Sequence, residues 1–164
     1  MKKVVFVLMT LTFMLPGVIL SNSPNSNLAD HHELQSSEIG FVKIVDMTFE
    51  EALSKVKSEL KKEGFGILTE VNVQATLKTK LDVDSRPYQI LGACNPPLAH
   101  KALQAEPQIG LMLPCKFIVY VNEDNKTVVS AVDPVKMMEG IENDQLSEVA
   151  KSVQEKFKKV LSSL

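Results

Sequence analysis

The 164-residue chain contains no tryptophan, only two cysteines, and aromatic residues at 5%. It also has no glycine-rich phosphate loop, no nucleophile elbow, no paired-histidine metalloprotease motif and no internal repeat, so the chemistries those patterns carry find no support here. A broad basic face is missing too. Lys and Arg number 18 against 20 Asp and Glu, a net charge of -2, which becomes about -4 without Lys2 and Lys3. A polyanion binder gains affinity by releasing counterions from a basic surface. The only cluster, Lys156, Lys158 and Lys159, shares its stretch with Glu148 and Glu155 and reads as a solvated helix face. No nucleic-acid partner is therefore expected.

What is present begins with a leader. Met1-Lys2-Lys3 precedes an uncharged, mostly apolar run from Val4 to Leu20, broken near its end by Pro16-Gly17. This is the layout of a secretory signal peptide. No A-x-A site follows, and cleavage after Ser23 would put Pro24 first; cleavage after Ser21 is the other option. The run is also at the lower limit for spanning a bilayer, so 1–22 reads as a signal peptide or an N-terminal anchor. Either way the chain is expected to be exported, to the periplasm, the medium or a tethered position outside the cytoplasm. Membrane contact is expected only through an uncleaved segment. No cysteine follows the run, which argues against a lipoprotein. Residues 23–38 are rich in Ser, Asn and charge and read as a flexible tether, with His31-His32 inside it as solvated side chains.

Residues 39–164 have the size and composition of one globular domain, with 45% apolar and 23% charged residues. A short strand is expected at 41–45. Thr48 and Glu51 then form a capping box, and Phe49, Ala52, Leu53, Val56 and Leu60 make a helical stripe that ends at Gly64. A strand follows at 66–71. Asn72 then caps a short helix with Val73, Leu77 and Leu81 four apart, although the same residues also alternate like a strand. The stretch 88–94 is a strand in which Gly92 leaves room for a close neighbour. Asn95-Pro96-Pro97 starts a helix to about 104. Strands are expected at 109–113 and 115–121 on either side of Pro114, and again at 127–132 after a turn at Glu123-Asp124-Asn125. Asp133-Pro134 repeats the cap-then-proline start, and 144–161 is a long amphipathic helix. The fold class is α+β: a curved, mainly antiparallel sheet packed against the long C-terminal helix, in β-α-β(4)-α order with short extra helices.

Four stretches carry a family signature: Gly64-Phe-Gly-Ile-Leu-Thr-Glu70, Arg86-Pro-Tyr-Gln-Ile-Leu-Gly-Ala-Cys-Asn-Pro-Pro-Leu-Ala-His100, Ile109-Gly-Leu-Met-Leu-Pro-Cys115 and Val132-Asp-Pro134. On these the chain resembles the domain-of-unknown-function 302 family. The resemblance implies a fold similar to the TATA-binding-protein-like α+β group, often as a homodimer, and implies no activity. Where the family commonly has Asn after the second cysteine, this chain has Lys116.

The candidate site gathers around Cys94, which ends a strand just before a helix N-terminus. Unpaired N–H groups and the helix dipole there would stabilise a thiolate, making a nucleophile or a metal ligand. Cys115 on a neighbouring strand offers a second sulfur, and export favours a disulfide between Cys94 and Cys115 as the alternative. Closing a loop of about 20 residues would add roughly 3 kcal/mol. Asn95 caps the helix beside Cys94. His100 would be a third ligand if metal were bound, though two Cys and one His without local spacing are a weak zinc or copper signal. Asp133 is a helix cap or a polar contact to a ligand, and Glu70 and Arg86 are surface charges or partners in the same cleft. Asn125-Lys126-Thr127 is a glycosylation sequon only in a eukaryotic source. No residue pattern names a cofactor, a metal or a catalytic residue. The leading expectation is a non-enzymatic domain binding a small ligand or metal at the Cys94/Cys115 cleft. A thiol-dependent enzyme or redox partner, and an interaction module braced by its cysteines, are the alternatives.

Overall fold

Element ends follow local chemistry closely in this computed structural model, which describes residues 33–164. The leader and His31-His32 lie outside the described residues. Helix α1 (Phe49–Lys62) opens with the reciprocal capping box: Glu51 N donates to Thr48 Oγ1 at 3.3 Å and Thr48 N to Glu51 Oε2 at 2.9 Å. The Thr48 N–H, and the Thr48 hydroxyl that donates to the same oxygen at 2.8 Å, hold the Glu51 carboxyl below its ordinary range. The helix ends in a Schellman motif. Gly64 takes φ +83°, so that Gly64 N donates to Lys61 O and Phe65 N to Leu60 O.

Six strands form one wholly antiparallel sheet: β1 (Gln35–Ser36), β2 (Gly40–Val45), β3 (Gly66–Asn72), β4 (Tyr88–Cys94), β5 (Cys115–Val121) and β6 (Thr127–Val132). They lie in the order β1-β2-β6-β5-β4-β3. The expected α+β class and the antiparallel sheet against a C-terminal helix are what the structure has. Gln35 and Ser36, read from sequence as tether, instead pair with Val42 and Phe41. Two residues of backbone pairing need no apolar period, so hydropathy could not reveal them. Lys136 Nζ donates to Ser36 Oγ and Ser37 O, tying this incoming segment to the short helix that follows β6.

Register separates the two faces of the sheet. Phe41, Ala131, Phe117 and Leu91 lie side by side across β2, β6, β5 and β4 on the inner face. They pack with Ala52, Val56 and Leu60 of α1 and with Val153, Phe157 and Val160 of helix α5 (Asp144–Ser162). Phe157 sits at the centre, edge-on to Phe117 at 4.8 Å and 5.0 Å from Phe65 between ring centroids. The outer face carries Val42, Ile44, Ile90 and Ile118, all half-buried, and the stacked pair Tyr88 and Tyr120. Gly92, on that face, is a close-approach position as its place in β4 suggested: a Cβ there would meet Thr69 Oγ1 and the Pro114 ring.

Helix α2 (Val73–Leu81) forms under its Asn72 cap, which accepts from Ala75 N at 2.8 Å, yet buries no residue. Helix α3 is Pro96–Ala105 and helix α4 is Pro134–Met137. The strand expected ahead of Pro114 is overturned as well. Residues 109–113 are not a strand, because Pro107–Met112 wind into a 3-10 turn capped by Glu106, whose carboxylate accepts from Gln108 N at 2.8 Å. Ile109 is buried and Met112 half-buried on the core side, three residues apart, whereas Leu111 is 85% exposed. That is the period of the tighter helix and not of a strand. The Leu113–Pro114 peptide bond is cis. Among the described residues no helix is long and apolar enough to cross a membrane.

Candidate functional site

A cavity of about 360 Å³ opens between the ends of β4, β5 and β6, the helices α3 and α4, the 3-10 turn and α5. Its walls are hydrocarbon. Leu98, Ala99 and Ala102 come from α3, Ile109 and Met112 from the 3-10 turn, Pro134 and Met138 from α4 and its C-cap, and Val149 and Val153 from α5. Each element turns its apolar side inward and leaves its polar side to solvent. In α5, for example, Phe157, Val160 and Leu161 continue the same stripe into the sheet core. At the mouth stand Ile39, 72% exposed, Leu111 and Met137.

Cys94, Asn95 and Cys115 line this cavity, so three of the five residues expected at a site are brought together. Both cysteines are free and only partly exposed. The expectation of a thiolate at Cys94 meets a physical obstacle. Pro96 and Pro97 occupy the first two helical positions and carry no N–H. The next donors are already used, Leu98 N by Asn95 Oδ1 at 3.2 Å and Ala99 N by Asn95 O at 2.9 Å. The first turn of α3 therefore has no free backbone N–H to offer an anion, and burial pushes the Cys94 thiol above its ordinary value. The Cys115 thiol is pushed up to about 11, by burial first and then by its neighbour Cys94, with Lys116 opposing.

Asp133 and His100 do not line the cavity. Asp133 is 3% exposed, and its Oδ1 accepts from Val135 N at 3.0 Å and from Gln154 Nε2 at 2.8 Å. It caps α4 and ties that helix to α5. His100 faces solvent on α3. Glu70 pairs with Lys57 at 2.7 Å, while Arg86 reaches the Glu123 carbonyl at 3.4 Å, so the two are not partners in one cleft. Among the described residues no group of three His, Cys, Asp or Glu side chains is placed to hold a metal ion.

Sequence reasoning missed Lys116 as a lining residue. It follows Cys115 on β5, is exposed, and donates to Pro114 O at 2.7 Å. It missed the apolar walls as well, because they come from four elements spread from α3 to α5 along the sequence.

A sequence profile described as "Domain of unknown function DUF302" matches residues 41–164. A crystal structure of an uncharacterized conserved DUF302 protein from Bacillus stearothermophilus superposes with a TM-score of 0.71 at 27% identity, covering 76% of this chain and 97% of that one. No curated protein matches.

Proposed function

We propose that this chain, which belongs to the DUF302 family, is a non-enzymatic binding protein whose cavity beside Cys94 and Cys115 takes a small, largely apolar ligand. One observation carries the reading: about 360 Å³ of space walled by hydrocarbon from α3, the 3-10 turn, α4 and α5. Small-molecule sites are typically concave, apolar clefts of roughly 300–1,000 Å³ with a few polar groups that orient the occupant. The raised thiols favour binding over catalysis, since a nucleophilic cysteine needs its thiolate at working pH. An exported location, expected from the apolar run ahead of the domain, is part of the same proposal.

Pairing of two copies belongs to the same proposal. The outer sheet face is apolar over Val42, Ile44, Ile90, Ile118 and the Tyr88–Tyr120 stack, with the exposed Lys116 beside Gly92 at its end, and that apolar part is self-complementary in chemistry.

The ligand reading is tested with decanol, a neutral apolar probe, followed by the methyl NMR signals of Met112 and Met138. Saturable shifts are expected in the native protein and their loss in Ala99→Phe, which fills the cavity from α3. Burial of each added methylene is worth about 0.8 kcal/mol, so affinity should climb roughly four-fold per carbon along an alcohol series until the space is full. Shifts that fail to saturate, or that persist in Ala99→Phe, would overturn the reading.

A further inference from the structure

The polar part of the cavity indicates the chemical class of its occupant, an inference that rests on the ligand-binding reading above. Among the described residues that line it, Lys116 alone carries a charge, and no carboxylate accompanies it. We propose that the occupant is a single-chain acyl carboxylate, its hydrocarbon inside the cavity and its carboxylate against Lys116 Nζ at the mouth.

The walls set the tail. Hydrocarbon walls satisfy no polar atom, and burying an unpaired amide or hydroxyl there costs several kcal/mol, so the inserted part is a plain chain. The volume sits at the low end of the small-molecule range and suits one chain and not two. The mouth sets the head. An ammonium has three donors, and Lys116 spends one on Pro114 O, so an anionic oxygen can be accepted without breaking that bond. The backbone N–H groups at the start of α3 are closed by Pro96, Pro97 and the Asn95 cap, which leaves the Asn95 amide as a neutral donor among the lining residues and Lys116 as the group that tells an anion from a neutral head. Because Lys116 is exposed, the carboxylate keeps much of its hydration and the pair avoids the desolvation cost of a buried ion pair. The net charge of the chain is negative, but beyond about 8 Å it is screened at physiological salt, which leaves the local cation in control.

The test is calorimetric titration at physiological salt with decanoate, decanol and decylamine, each below its micelle concentration, against the native protein, Lys116→Gln and Lys116→Arg. Native protein should bind decanoate roughly two- to five-fold tighter than decanol, the range an exposed ion pair supplies, and decylamine most weakly. Lys116→Gln should lose that preference while its affinity for decanol stays within experimental error, and Lys116→Arg should keep it. An unchanged thermal transition in each variant shows that it is folded. Equal affinity for decanoate and decanol in the native protein, or a preference surviving in Lys116→Gln, would overturn the head-group assignment and leave the cavity reading standing. Failure of all three probes to bind would remove both.

Discussion

Lys43 reaches from the middle of β2 to the far end of the last helix, its Nζ donating to the Leu161 carbonyl at 3.0 Å and to the Leu164 oxygen at the same distance. The lysine is 9% exposed on the core side of the sheet, between Phe41 and Val45. A helix C-terminus leaves carbonyls without intrahelical partners and carries partial negative charge, so a cation placed there both satisfies acceptors and complements the dipole. Lys43→Met keeps the length of the side chain and removes the donors. The expected loss is about 1–3 kcal/mol of unfolding free energy, read from urea denaturation. Hydrogen exchange should rise first at the last turn of α5.

The thiols give the molecule a defined alkaline weakness. Cys115 titrates at an ordinary 9.0 in the unfolded chain and about 11 in the fold. Between those values the folded state holds the proton that the unfolded state releases. The stability is complete below about pH 9 and is lost as pH rises towards 11, by an amount on the order of 2 kcal/mol. Native protein and Cys115→Ala compared by denaturant titration at pH 8 and pH 10.5 should differ by this extra fall in the native protein. The Cys94 thiol shifts in the same direction, so iodoacetamide rates for both cysteines should reach half-maximum above the ordinary thiol value. A midpoint below it would restore the nucleophile reading.

Asp133 separates the cap role from the ligand role cleanly. Asp133→Ala removes an acceptor from Val135 N and from the half-buried Gln154 amide and should cost about 1–3 kcal/mol. Decanol affinity should be unchanged within error, because the carboxylate does not reach the cavity. A large loss of binding with little loss of stability would give Asp133 the ligand contact that its sequence position also allowed.

Pairing through the outer face predicts a mass change. Ile118 lies at the centre of that face, opposite Ile90 and Ser130. Sedimentation equilibrium of the mature domain should give twice the chain mass, and Ile118→Lys should give the single mass with a similar melting curve. A native protein that sediments as a monomer at high concentration would end the proposal.

Most of the architecture could be read from local rules, and the exceptions share a cause. Thr48, Asn95 and Asp133 announce helix starts because a cap acts over three residues, and the stripe from Leu146 to Leu161 announces α5 because its period runs for four turns. The strand expected at 109–113 failed because four apolar residues in five fit either period, and only the Glu106 cap and the burial of Ile109 decide between them. For the site, Pro96 and Pro97 were visible from the start. Proline at a helix start lacks an N–H, and that same loss strips the donors a thiolate at Cys94 would need, which is why the strand-end position suggests a more acidic thiol than the fold gives. Lys43 acts over a sequence distance that no local pattern encodes.

The link from Lys136 to Ser36 and Ser37 has one more effect. Lys136 belongs to the same four-residue helix as Met137, and Ile39 lies three residues past Ser36, so both flank the entrance to the hollow. The two bonds thereby fasten the first strand to the doorway, so that removing the Lys136 ammonium would loosen two sides of the entrance at once.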